Sequence, residues 1–177
     1  MADVDRRLKR RGASAAVFVV GGAAIAATGI RGDRLTADID ALTDDPVLLD
    51  EAVAIAAERG IPSGWLNARA RSWMPPLPAG VLVRPTKPGL RVTYADDSFL
   101  FATKLVAQRA KDADDLAALA AHVGMQRATA EELEAHIRSY YSDREALRFI
   151  VGSDDVDREL RHLAEAAARF LARTFGD

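Results

Sequence analysis

The residues Ala15-Ala16-Val17-Phe18-Val19-Val20 form an unbroken apolar run that stops at Gly21-Gly22. A strand with one wet face alternates polar and apolar residues, whereas a run that is apolar at both parities needs cover on both faces. This run therefore predicts a central strand, with neighbours on either side and further layers above and below. Ala23 to Thr28 is small and helix-compatible, and Gly29 to Arg34 is a basic, glycine-containing loop. Leu35 to Leu42 then sets Thr36, Asp38 and Asp40 against Leu35, Ala37, Ile39 and Ala41, the period-two pattern of a second strand.

Helix signals frame the rest. Residues 2–11 read as a short basic helix. Asp45 followed by Pro46 marks a helix start, Val47 to Arg59 carries apolar residues at helical spacing, and Gly60 ends it. Between Ile61 and Pro88 six prolines and two glycines break the chain into loops, with room for a short strand at Val81 to Arg84; Leu90 to Tyr94 reads as another. Phe99 to Ala121 is expected as one long helix, Thr129 with Glu132 as a capping box, Asp143 as the start of a short helix, and Ser153-Asp154 as the opening of the last. The predicted fold class is α+β: a small mixed β-sheet core over residues 1–98, then a C-terminal helical bundle over 99–177.

Composition narrows the chemistry. The chain has no cysteine, which removes disulfides, thiolate nucleophiles and zinc knuckles, and its three histidines are isolated. Metal chemistry must then run on carboxylates. Charges among residues 2–11 and the lack of a long apolar run predict a cytoplasmic chain with no membrane span. The net charge of −2 averages two unlike parts: residues 1–111 hold 16 Lys and Arg against 12 Asp and Glu, and residues 112–177 hold 8 against 14. A polyanion would prefer the first part, although solvated faces that happen to segregate give the same count.

In Asp38-Ile39-Asp40 a strand period of two puts both carboxylates on one face, about 7 Å apart along the chain. Such a pair suits Mg²⁺, which takes carboxylates together with substrate phosphates. Taken alone, such alternating acids are more often just the ordinary polar face of a half-exposed strand. Gly21-Gly22 lets backbone amides and a helix N-terminus approach a phosphate, or simply makes a tight strand-to-helix turn. Lys104, Gln108, Lys111 and Asp115 recur at i, i+4, i+7 and i+11 as a polar stripe opposite Leu105, Val106 and Leu116, which is a solvated helix face or a functional one. Read as solvated, Lys104 carries little weight in folding. Asp96 and Asp97 are better read as caps of the following helix than as further ligands. Trp65 and Trp73 plug loops onto the core or, if exposed, stack on a base; Arg31 and Arg34 flank the acidic strand as surface residues or phosphate contacts.

Taken together, Val19-Val20-Gly21-Gly22, Arg31 to Asp33 and Arg34-Leu35-Thr36-Ala37-Asp38-Ile39-Asp40 resemble the signature of polymerase-β-type nucleotidyltransferases, nearest the AbiE-type, MenT-like toxin group. Trp65-Leu66-Asn67 is similar to a motif in small relatives of that group, and Phe101 to Leu116 resembles the group's Lys-, Arg- and Asp-bearing helix. The resemblance implies Mg²⁺-dependent transfer of a nucleotide from an NTP to a hydroxyl, with RNA such as the tRNA 3′ end as acceptor and a cognate antitoxin as partner. It implies Asp38 and Asp40 as metal ligands and, with Lys104, as the catalytic set. Gly21, Gly22, Arg34, Thr36, Lys104, Arg109, Asp112 and Asp115 are implied as nucleotide contacts. The strand Leu90 to Tyr94 carries no acid, where the superfamily commonly supplies a third. The alternative is the same fold kept as an inactive binding or interaction module.

Overall fold

A computed structural model describes residues 1–31 and 36–176. Eight helices and a four-stranded mixed sheet make up the described chain, an α+β architecture. The described chain divides into two compact units, a strand unit of residues 1–27, 36–71 and 77–95 and a helical unit of residues 28–31, 72–76 and 96–176. No helix among the described residues is long and apolar enough to cross a membrane.

In the strand unit the order across the sheet is β3-β2-β1-β4. The apolar run becomes β1 (Ser14–Val19), one of the two inner strands and buried from Ala15 onward. It pairs antiparallel with β2 (Ile39–Leu42), matching Phe18 to Leu42, and parallel with β4 (Gly89–Tyr94), matching Ala15 to Leu90. Helix α1 (Ala2–Arg10) buries Val4 and Leu8, one turn apart, and packs against β4 and α3 (Pro46–Arg59). Its basic residues are largely paired within the unit: Arg7 with Glu51 and Glu58, and neighbouring Arg11 with Glu51. The hydrogen bond from Arg11, joined by Arg7, outweighs burial and holds the Glu51 carboxyl below its ordinary value.

Asp45 stands before Pro46 at the start of α3, yet its carboxylate caps no helix amide. Its Oδ2 instead accepts the Ala16 amide at 2.7 Å, while the Thr43 hydroxyl donates to the Ala16 carbonyl at 2.7 Å. β2 ends at Leu42, and these two side chains continue its ladder along β1 where no strand backbone is left to do so. The other oxygen of Asp45 is ion-paired with Arg84.

Three strand expectations change. β2 is shorter than 35–42, and Leu35 lies outside the described residues. Val81 to Arg84 is no strand: amides of Val81 and Val83 bond to the carbonyls of Pro78 and Gly80, which is turn geometry. The strand that does flank β2 is β3 (Leu66–Asn67), parallel to it.

The helical unit begins with α2's last residue, Thr28, and Gly29 to Arg31, where α2 spans Gly21–Thr28. It continues with α4 (Asp97–Ala107), α5 (Ala113–His122), α6 (Ala130–Tyr140), α7 (Arg144–Val151) and α8 (Val156–Phe175). Asp96 caps α4 by accepting the Phe99 amide at 2.8 Å, and Thr129 with Glu132 closes a capping box on α6. Phe99, Phe101, Leu105, Leu119, Leu133, Ile137 and Leu160 fill the interior. The single helix expected over 99–121 is broken. Gln108 ends α4 in the left-handed region at φ 40°, and a short 3₁₀ turn (Ala110–Asp112) precedes α5.

Asp45→Ala should cost about 2–3 kcal/mol, because a charge-assisted hydrogen bond is lost and the buried Ala16 amide is left without an acceptor. Urea denaturation is expected to show a lower midpoint with an unchanged slope; wild-type stability would contradict the ladder role.

Candidate functional site

The end of β1 meets the start of α2 at Gly21, whose φ of 62° favours glycine. A Cβ there would stand 3.1 Å from Asp40 Oδ2, so the Asp40 carboxylate lies against the first turn of α2. The Val20 amide donates to the Asp40 carbonyl at 2.9 Å and locks this approach. Gly21 is thus favoured by its dihedral, and a Cβ there would also make the Asp40 carboxylate give way by a few tenths of an ångström. Gly22 follows inside the first turn of the helix.

Only one of the two acids is on the strand. Asp40 is in β2, but Asp38 occupies an exposed bend just before it, so strand alternation does not set the direction of the Asp38 side chain. Two other residues lie close to Asp38. The exposed Thr36 hydroxyl bonds to the Asp38 carbonyl at 2.8 Å, and Asn67 Nδ2 stands 3.5 Å from Asp38 Oδ2. Asn67 is in turn fixed by β3, whose register matches it to Asp40, and by the Arg69 amide, which donates to Asn67 Oδ1 at 3.0 Å. Asp38 and Asp40 offer hard oxygen donors of the kind Mg²⁺ takes, whereas Asn67 turns its Nδ2 toward Asp38 and has its oxygen taken by the Arg69 amide. Among the described residues no group of three or more His, Cys, Asp or Glu gathers into a metal-holding cluster. Arg34 lies outside the described residues.

The Lys-bearing helix departs from the solvated-face expectation. Lys104 is buried, with its ammonium 2.8 Å from Asp112 Oδ1 and 3.0 Å from Asp115 Oδ2. Both carboxylates are buried as well. Arg31 reaches Asp115 Oδ1 at 3.1 Å, and Arg109 Nε donates to Asp112 Oδ2 at 2.6 Å. On a straight helix Lys104 and Asp115 would be about 16 Å apart along the axis; the break at Gln108 brings them together. Burial alone would push the Asp112 carboxyl up, but the bonds from Lys104 and Arg109 win and hold it below its ordinary value. A lysine, two aspartates and two arginines expected as helix-surface or loop residues thus form one charge network inside the helical unit.

No protein-family model, curated protein or solved structure matches the chain. The geometry therefore stands on its own residues.

The remaining aromatic and histidine residues divide cleanly. The Trp65 indole donates to the Ala52 carbonyl at 2.9 Å and plugs its loop onto α3. Trp73 stays half-exposed beside Phe149, with ring centroids 5.7 Å apart. His136 Nε2 meets the Ser98 carbonyl at 3.0 Å, and His122 Nδ1 meets Asp97 Oδ2 at 3.2 Å. Asn67 is the site residue that sequence reasoning left without a role; its signal was the Trp65-Leu66-Asn67 stretch itself.

Two substitutions test these placements. Lys104→Met strands two buried carboxylates and should cost about 3–5 kcal/mol by thermal or chemical denaturation, with part recovered in Lys104→Met/Asp112→Asn/Asp115→Asn. Because Asp112 titrates lower in the folded chain than in the unfolded one, its contribution is complete above about pH 4 and is lost as pH falls through the folded value. Asp112→Asn should flatten that acid limb. Gly21→Ala should cost about 1–2 kcal/mol from the dihedral alone. A crystal structure of the variant should show the Asp40 carboxylate displaced; an unmoved carboxylate at wild-type stability would refute the close approach.

Proposed function

We propose that the strand unit is the core of a Mg²⁺-dependent nucleotidyltransferase that moves a nucleotide from an NTP to a hydroxyl acceptor, RNA being the acceptor class the resemblance implies. The observation that carries this reading is the Asp40 carboxylate seated against Gly21 at the mouth of α2, with Asp38 two residues before it in the chain and within reach of Thr36 and Asn67. Phosphate-binding backbone and a metal-binding carboxylate then share one end of the β1-β2 pair.

Asp38 and Asp40 would hold the metal, which when bound supplies charge neutralisation for the transferring phosphoryl group. Two carboxylates suffice where substrate phosphates complete the shell. Gly22 puts no side chain over the first turn of α2, where backbone amides would meet a phosphate beside the Asp40 carboxylate. The acceptor oxygen bonds to the α-phosphorus as the bond to pyrophosphate breaks, and the hydroxyl proton passes to a carboxylate oxygen or water. Lys104 enters this reading as the anchor of Asp112 and Asp115, since its ammonium is already engaged by both.

Incubation of the pure protein with Mg²⁺, each labelled NTP and total RNA is the direct test. Label should pass to RNA, and Asp40→Asn should lower transfer by about a hundredfold or more while the fold persists. Transfer that survives Asp38→Asn/Asp40→Asn would overturn the assignment. Saturable NTP binding without transfer would favour the alternative of a non-catalytic binding module, a reading supported by the lack of a third acid on β4.

A further inference from the structure

The break in the helix at Gln108 leaves a second feature, wholly within the helical unit. Between the end of α4, the start of α5 and the last turns of α8 lies a cavity of about 250 Å³. Alanines make the room: Ala166 and Ala167 face it from α8, where larger side chains would close it. Phe170 and Arg173 stand one and two turns further along the same face of α8, and Leu116 lines the α5 side. The Gln108 amide holds the walls together, donating to the Leu105 carbonyl at 3.0 Å and to the Leu163 carbonyl of α8 at 2.5 Å. A non-glycine residue kept at φ 40° is strain that the surrounding packing sustains.

The charges lining this cavity do not cancel. Lys104, Arg109 and Arg173 are cations, and Asp112 is the one anion among the lining residues. Asp112 is already matched by Lys104 below it and by Arg109 Nε. The terminal nitrogens of Arg109 make no hydrogen bond to any described residue, and its side chain is 56% exposed. Arg173, exposed at the end of α8, has no ion-pair partner among the described residues. Two guanidinium groups with open donors thus border a recess whose other walls are an aromatic ring and aliphatic carbon. Guanidinium forks match phosphate geometry, and an aromatic wall takes a flat apolar body.

We propose that this cavity is a binding site for a small organic phosphate, its phosphate taken by Arg109 and Arg173 and its apolar or ring portion lying against Phe170 and Leu116. The volume is below the ~300–1,000 Å³ of drug-sized pockets, which limits the body to about one ring. Asp112 sets the direction of Arg109 through Nε and leaves the terminal nitrogens for the ligand. The site uses neither Asp38 nor Asp40 and is independent of the nucleotidyl-transfer reading.

Phenyl phosphate, inorganic phosphate and phenol serve as probes in calorimetric titration of the full chain, with amide NMR shifts to locate them. Phenyl phosphate is expected to bind saturably and more tightly than either fragment, shifting amides around 108–116 and 166–173. Arg173→Gln, an exposed change that leaves the fold intact, should weaken it roughly tenfold, and Arg109→Gln/Arg173→Gln should abolish it. Asp40→Asn should leave it unchanged. Absence of saturable binding, equal affinity in wild type and Arg173→Gln, or loss of binding in Asp40→Asn alone would overturn the proposal. Inorganic phosphate binding as tightly as phenyl phosphate would overturn the part played by Phe170. Nucleotidyl transfer that fails while this binding persists would leave the site standing, and the reverse would remove it alone.

Discussion

A lysine ammonium cannot be taken out of water without anions to meet it, and the helical unit is arranged around that constraint. Lys104 is on the inner face of α4, so its partners must come from elsewhere in the chain, and Asp112 and Asp115 supply them only if the helix stops and turns back. The left-handed Gln108, the 3₁₀ turn and the start of α5 all follow from this requirement. Arg31 and Arg109 then engage the second oxygens of the two carboxylates. Lys104 is the shared member: its loss takes the buried cation from both carboxylates at once, whereas loss of Arg31 or Arg109 leaves each carboxylate still paired to Lys104.

The strand unit meets a different demand, the satisfaction of an inner strand beside a very short neighbour. β2 offers only four residues, and beyond it Thr43 and Asp45 bond the Ala16 peptide with side chains. The same economy holds at the other end of β2, where Thr36 and Asn67 fix the chain around Asp38. A short strand bracketed by side-chain hydrogen bonds is how acidic groups come to be held near a glycine turn without a long sheet beneath them.

Much of this was legible in the residues, for identifiable reasons. Ala15 to Val20 announced an inner strand because both parities are apolar, and Asp96, Thr129 and Asp143 announced helix starts because capping is a local interaction. β3 was illegible because two residues carry no period. Val81 to Arg84 misled because apolar residues between Pro78 and Pro85 look like a strand while their amides close turns. The break at Gln108 had no glycine or proline to mark it; tertiary pairing of Lys104 overrode a favourable helical pattern. Of the candidate site, the glycines and Asp40 were legible, whereas the role of Asn67 and the burial of Lys104 depend on contacts distant in sequence.

The Gln108 staple also orders events in time. Its acceptor on α8, the Leu163 carbonyl, lies 55 positions downstream. As the chain leaves the ribosome, residues 1–95, which hold the whole sheet, are complete while α8 is still unmade. α4 and α6, though packed on each other, then wait with the surface that α8 covers still open, because α6 and α8 cover one another and α8 also seats on α4. Closure of the helical unit thus waits for the twenty-residue α8, and a nascent chain stalled before it exposes the very surface on which aggregation would begin.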